Sequence, residues 1–129
     1  MASFAIVVTR APFDSQGAYT ALRFSQAALA AGHDIKGVFF YQAGSANANG
    51  FIAGHSDELN MHHAWKAFKA STQTPLMVCV TAANRRGIVS EQDAEDLDLQ
   101  HFNFDAPFES VGLGELVSII NDADRTIQF

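Results

Sequence analysis

The sequence predicts an α/β protein with three layers, α/β/α, around a mainly parallel sheet of about four to five strands. Two observations predict it. Short, continuous apolar runs at 4–8, 35–40 and 76–80 read as strands covered on both faces. Between them lie stretches whose apolar residues recur at helical spacing, and such alternation gives a parallel sheet with helices on both faces. The 129 residues are expected to form one domain, 1–129, long enough to bury a core without staples.

The elements follow in order. Phe4–Val8 is the first strand, short and partly β-branched. After Pro12, Asp14, Ser15 and Gln16 offer helix caps; Ala18, Leu22, Ser25 and Leu29 recur at helical spacing, and Gly32 supplies the stop. Ile35–Phe40 is the second strand, and AGSANANG (43–50) is dense in turn formers and reads as a loop. Ser56 is expected to cap the next helix with Asp57 and Glu58 in its first turn, and Met61, Trp65 and Phe68 form the buried stripe. Pro75 precedes the third strand, Leu76–Val80. Ser90 and Asp93 resemble a capping box for a short acidic helix. A loop with Phe102, Phe104 and Phe108 then leads to a helix near Gly114–Asp122, and Asp124–Phe129 is the closing strand.

Composition narrows the function. Hydrophobic residues make up 48% and charged residues 17%, which is globular rather than disordered. Eleven phenylalanines exceed what one small core readily hides. Phe39, Phe40 and Tyr41 at a strand end, and Phe102, Phe104 and Phe108 in one loop, are therefore expected to line a subunit interface. The opening MASFAIVVTRAP has no basic leader or cleavage site, and no apolar stretch approaches the roughly 18 residues of a membrane span. The single cysteine, which cannot form an internal disulfide, fits a reducing cytoplasm. A net charge of -6 argues against direct nucleic-acid binding.

That cysteine, Cys79, is next to last in the third predicted strand. Ligand and catalytic groups of open α/β sheets gather at this carboxyl edge. A cysteine in an apolar strand is ordinarily an inert core residue. Here the following Thr81-Ala82-Ala83-Asn84 can open a helical turn, and Arg85 and Arg86 add positive charge; both influences favour thiolate over thiol. Cys79 and Arg85 fit C-x5-R, the spacing of cysteine phosphatases, but VTAAN lacks the glycine that lets such a loop curl. None of His33, His55, His62, His63 and His101 carries a protease context, and no second cysteine offers a dithiol. A lone thiolate suffices to carry sulfur as a persulfide, with no metal or organic cofactor.

Other candidates carry less. His62 and His63 diverge by about 100° on a helix, which suits no tetrahedral metal site. Asn47 and Asn49 follow the carboxyl end of the second strand and are either pocket residues or turn formers. Asp57 and Glu58 are either a partner-contacting rim or helix-dipole residues, and GLG at 112–114 is too short for a nucleotide fingerprint.

The run CVTAANRRGIVSE (79–91) closely resembles the cysteine segment of the DsrE/TusD family of sulfur-relay proteins. The likeness continues through FAIVVT, GHDIKGVFFYQAG, NAN, SDE, AW, GLGEL and DRTIQF in one order along the whole chain. The resemblance implies a sulfurtransferase whose sulfur-accepting cysteine is Cys79; Arg85 and Arg86, by their charge, and Asn47 and Asn49, by their place after the second strand, are the candidate supporting residues read from the sequence itself. The resemblance also implies a place in a cytoplasmic TusBCD-type heterohexamer with TusB-like and TusC-like subunits. A TusA-like protein would donate sulfur and a TusE-like protein accept it, ending in 2-thiolation of tRNA wobble uridine without direct contact to nucleic acid. The family leaves two alternatives: a DsrE-type subunit of a sulfur-oxidation complex, and a non-catalytic scaffold subunit. The ending DRTIQF favours the tRNA branch, and Cys79 within CVTAANRRG favours catalysis.

Overall fold

The computed structural model describes residues 1–129. Strands β1 (Ser3–Val8), β2 (Asp34–Phe40), β3 (Leu76–Cys79), β4 (Phe108–Val111) and β5 (Arg125–Gln128) form one sheet in the order β4-β3-β2-β1-β5. Every neighbouring pair is parallel, so all five carboxyl ends share one edge. The chain steps outward from β1 to β4 and then returns to add β5 on the far side of β1.

Alternation along each strand sends side chains to two faces. Ile6, Val8, Val38, Phe40, Leu76, Val78 and Phe108 belong to one core, with Ala18 and Leu22 of α1 (Gly17–Ala30) and Trp65 and Phe68 of α2 (Met61–Thr72). Phe40 meets Trp65 edge to face at 5.1 Å. Ala5, Phe39, Met77 and Cys79 point the other way, toward Ile119 of α5 (Leu113–Asp122). The first core holds 19 buried residues and the second only 6, so the face that carries Cys79 is thinly covered. Two short helices, α3 (Val80–Asn84) and α4 (Glu91–Asp96), link β3 to β4.

Several sequence expectations change here. The helix after residue 56 begins at Met61, where Asn60 accepts the His63 N–H at 3.1 Å. Asp57 and Glu58 thus precede the helix, and Glu58 instead accepts the His55 N–H at 3.2 Å. Ser, Asp and Asn all cap well, and the apolar stripe that picks the start is the one beginning at Met61. The segment expected as an irregular loop is a 3-10 helix, Gln42–Ala48. The strand β4 was hidden because FESV is short and half polar, and its pairing with β3 decides it. The half capping box holds: Ser90 Oγ accepts the Asp93 N–H at 3.1 Å.

The aromatic residues are largely internal. Phe39 and Phe40 sit on an inner strand of a three-layer sheet, so both are covered although they point oppositely. Phe108 stacks on His62 at 5.1 Å, and Phe104 packs beside it at 6.4 Å. Of that loop only Phe102 faces outward. The interface expected at these rings is therefore not made by Phe39, Phe40, Phe104 or Phe108. Exposed apolar groups lie elsewhere: Phe13, Phe51, Leu97, Leu99, and Leu113, Val117 and Ile120 along one side of α5. No helix is long and apolar enough to cross a membrane.

Candidate active site

Cys79 is the last residue of β3 and the N-cap of α3, where the backbone changes from extended to helical. One residue therefore ends a strand and starts a helix at the carboxyl edge of the sheet. Cys79 as a residue is only 4% exposed, deeper than its place near a strand end suggested. The reason is lateral: β3 lies between β2 and β4, Val111 pairs with Cys79, and Ala82 packs in the same cluster. Cys79 opens on a cavity of about 560 Å³ lined by Tyr41, Gln42, Thr81, Arg85, Arg86 and Leu113 among others.

The cavity is cationic. Arg86 Nη1 donates to the Ala82 carbonyl at 3.0 Å, which ties that guanidinium to α3. Neither arginine has a carboxylate partner, since the chain's two ion pairs are Lys36–Asp34 and Lys66–Asp105. Both arginines expected to support the sulfur are thus brought to it. The five residues between Cys79 and Arg85 form a helix, closed by the Arg85 N–H on the Thr81 carbonyl at 3.1 Å. They do not wrap into a phosphate cradle, and no histidine lines the cavity. The phosphatase and Cys-His readings lose their geometry.

Asn47 and Asn49 do not line the cavity. Asn47 is fully buried; its Nδ2 donates to the carbonyls of Arg10 at 3.2 Å and Gly44 at 2.8 Å, and its Oδ1 accepts Trp65 Nε1 at 3.1 Å. Asn49 Oδ1 accepts Asn103 Nδ2 at 3.0 Å and the Phe51 N–H at 2.9 Å. A polar residue rich in turn propensity resembles a pocket residue in sequence; burial turns it into a clamp. Asn47 holds the 3-10 segment whose first residue, Gln42, does line the cavity. Gln42 has φ +54, a left-handed conformation rare for a residue with a side chain, at the sharp exit from β2. Tyr41, Gln42 and Leu113 are lining residues that sequence reasoning missed. The available signal was their place just beyond carboxyl ends of strands or at the start of a helix.

His62 is buried, with Nδ1 3.1 Å from the Asn47 carbonyl oxygen. Burial pushes its pKa below the ordinary imidazole value, outweighing the opposite pull of that carbonyl. Its ring lies 6.0 Å from that of His63, and no three His, Cys, Asp or Glu side chains converge as a metal site would require.

Fold and site together define a three-layer α/β protein that holds one thiol at the floor of a cationic cavity, at the carboxyl edge of a parallel sheet. Known proteins agree on the lineage. The family model of the DsrE/DsrF-like family matches residues 2–129, and the chain belongs to that family. It is 42% identical to sulfurtransferase TusD of Pectobacterium carotovorum over 100% of both chains. It is 40% identical to sulfurtransferase TusD of an Enterobacter species and 39% identical to that of Proteus mirabilis, each over 98% of both chains. The crystal structure of the ychN protein from E. coli shares the fold, with a TM-score of 0.78, 19% identity and full coverage of both chains.

Proposed function

We propose that this protein is a sulfurtransferase subunit of a sulfur relay, accepting persulfide sulfur on Cys79 and handing it to a second thiol protein. The observation that carries the reading is the site itself: the chain's only cysteine lies at the floor of a cavity flanked by two unpaired arginines. Its full-length likeness to TusD sulfurtransferases supports the same reading. In the first step the Cys79 thiolate attacks the outer sulfur of a donor persulfide, R–S–S–H. The R–S to S bond breaks, the donor leaves as the thiolate R–S⁻, and Cys79 becomes Cys79–S–SH. In the second step an acceptor thiolate attacks that outer sulfur and Cys79 leaves as thiolate. Electrons balance in both steps without an oxidant or cofactor.

The arginines stabilise the thiolate that leaves in each step. Because the sulfur is recessed, a donor or acceptor must deliver its own sulfur on a protruding segment. The partners implied are TusA-like and TusE-like proteins for donation and acceptance, and TusB-like and TusC-like subunits in a cytoplasmic heterohexamer. The relay then ends in 2-thiolation of tRNA wobble uridine, and the acidic chain need not touch the RNA.

The test has two arms. Incubation with inorganic polysulfide should give wild-type protein one sulfur atom heavier by intact-mass spectrometry, with the adduct removed by dithiothreitol. Cells whose only copy carries Cys79→Ser should lose 2-thiouridine from bulk tRNA nucleosides. An unmodified wild type, in a reaction that persulfidates a control thiol protein, would overturn the carrier role; normal 2-thiouridine in the variant cells would overturn the tRNA end point.

A further inference from the structure

The negative charge of this chain belongs to one segment. Residues 91–109 hold seven of the fourteen acidic residues and none of the eight lysines and arginines. The rest of the chain carries seven acids against eight bases, so the net charge of -6 is local. Within this segment Glu91, Glu95 and Asp105 join Phe102 around a groove of about 440 Å³. Phe102 and Asp105 also line a smaller adjoining cavity of about 200 Å³, to which His62, Lys66 and Phe51 contribute.

His62 lines the same adjoining cavity. It is 5% exposed, and Nδ1 faces the Asn47 carbonyl oxygen at 3.1 Å. A carbonyl only accepts, so Nδ1 carries the proton and Nε2 presents a bare lone pair. Stacking on Phe108 fixes the ring plane. Nε2 has no protein partner, and Gly50 leaves it room: a Cβ there would stand 3.6 Å from Nε2. The lone pair therefore looks into the smaller cavity. Burial, with Lys66 and His63 acting the same way against Asp105 and the Asn47 carbonyl, keeps the ring neutral and accepting. The groove thus offers acceptors: Nε2 and three carboxylates, beside the exposed rings of Phe51 and Phe102. Its one cation, Lys66, reaches Asp105 Oδ1 at 3.3 Å and leaves Oδ2 free.

We propose that this groove docks a basic segment of a protein partner, with an arginine seated against Phe51 and Phe102 and donating to His62 Nε2 and Asp105. A guanidinium is planar, carries five donors and no acceptor, and stacks on aromatic faces. That is the complement of what the groove presents. A lysine offers a point charge without the stacking plane, and a nucleic acid would be repelled by the carboxylates. The site is separate from Cys79 and does not depend on sulfur transfer.

The probe is the peptide acetyl-Ala-Arg-Gly-Arg-Ala-amide, titrated into the intact chain by NMR. A second peptide replaces both arginines with citrulline, which keeps the shape and removes the charge. The arginine peptide should move the His62 Nε2 nitrogen resonance and the Phe102 ring signals. It should weaken as salt rises, and bind at least about fivefold more weakly to Glu91→Gln/Glu95→Gln, whose changes are on the surface. His62→Phe, which keeps a ring on Phe108 and removes the acceptor, should weaken it as well. Binding that leaves His62 Nε2 unmoved, equal binding of the citrulline peptide, or an unchanged affinity in the double variant would overturn the proposal. So would sedimentation showing that a second copy of this chain occupies the groove, through a dimer abolished by the same double variant.

Discussion

Replacing Asn47 by alanine tests how the cavity wall is held. The substitution deprives the indole N–H of fully buried Trp65 of its 3.1 Å acceptor, and an unsatisfied buried donor costs about 1–3 kcal/mol. The Gly44 and Arg10 carbonyls lose donors at 2.8 and 3.2 Å, worth about 0.5–1.5 kcal/mol each, with Arg10 at the low end because water can reach that exposed residue. The sum is about 3–4 kcal/mol, a large share of the roughly 5–15 kcal/mol that holds a domain folded. Trp65 is the only tryptophan and is itself in the network, so its fluorescence reports urea unfolding directly. With a slope of about 1.5 kcal/mol per molar urea, the midpoint should fall by about 2 M. Asn47→Asp keeps the shape and the acceptor for Trp65 but sets an oxygen against the Gly44 carbonyl, and should not rescue. A second readout is local: alkylation of Cys79 should accelerate severalfold under native conditions as Gln42 and Tyr41 loosen. A loss below about 1 kcal/mol would refute the reasoning, because it would mean the network is hydrated rather than dry.

Three further outcomes follow from the same geometry. A Cβ on Gly44 would collide with the Val8 backbone carbonyl, which cannot yield, whereas one on Gly37 would collide only with the flexible terminal methyl of Met77 and touch Ile119 at ordinary contact distance; Gly44→Ala should therefore lower the urea midpoint far more than Gly37→Ala, and equal losses would contradict the close seating of the 3-10 segment on β1. The His62 pKa is held below 6.5 in the folded state, so as pH falls through about 6.5 the unfolded chain takes up the proton first and stability declines until the folded value is reached. Above that window the contribution is fully present, and His62→Gln should flatten the pH slope of unfolding free energy; an unchanged slope would show that His62 is not its source. At the site, Arg85→Ala should lower the ratio of iodoacetate to iodoacetamide reaction rates at Cys79 by about threefold, the effect of one partly screened charge on an anionic reagent; a ratio equal to wild type would remove Arg85 from the site.

Much of the fold was legible because it rests on local pattern. FAIVV and LMVC are continuous apolar runs, as strands buried between two helical layers must be, and both are strands. Met61, Trp65 and Phe68 are buried at helical spacing as read. What failed were boundaries and short elements whose sequence is compatible with several states. Ser56 and Asn60 are equal caps in isolation, and only docking of the stripe on the sheet selects Asn60. FESV has little intrinsic preference for a strand; alignment of Phe108–Val111 beside Leu76–Cys79 creates one. The aromatic residues misled because sequence shows their number but not the three-layer depth that accommodates them.

The sequence by itself determined the alternating α/β order, the lone cysteine near the end of the third strand and the two arginines that follow it. These lie within a few residues of one another, where covalent connectivity alone keeps them close. Tertiary structure decided the rest of the site. Tyr41, Gln42 and Leu113 are distant in sequence from Cys79 and meet it only because parallel pairing brings the carboxyl ends of β2, β3 and β4 to one edge. The same packing decided that Asn47 is a buried clamp rather than a pocket residue. Hydrogen-bonding groups that are interchangeable in water become specific when the indole N–H of fully buried Trp65 has Asn47 Oδ1 as its acceptor.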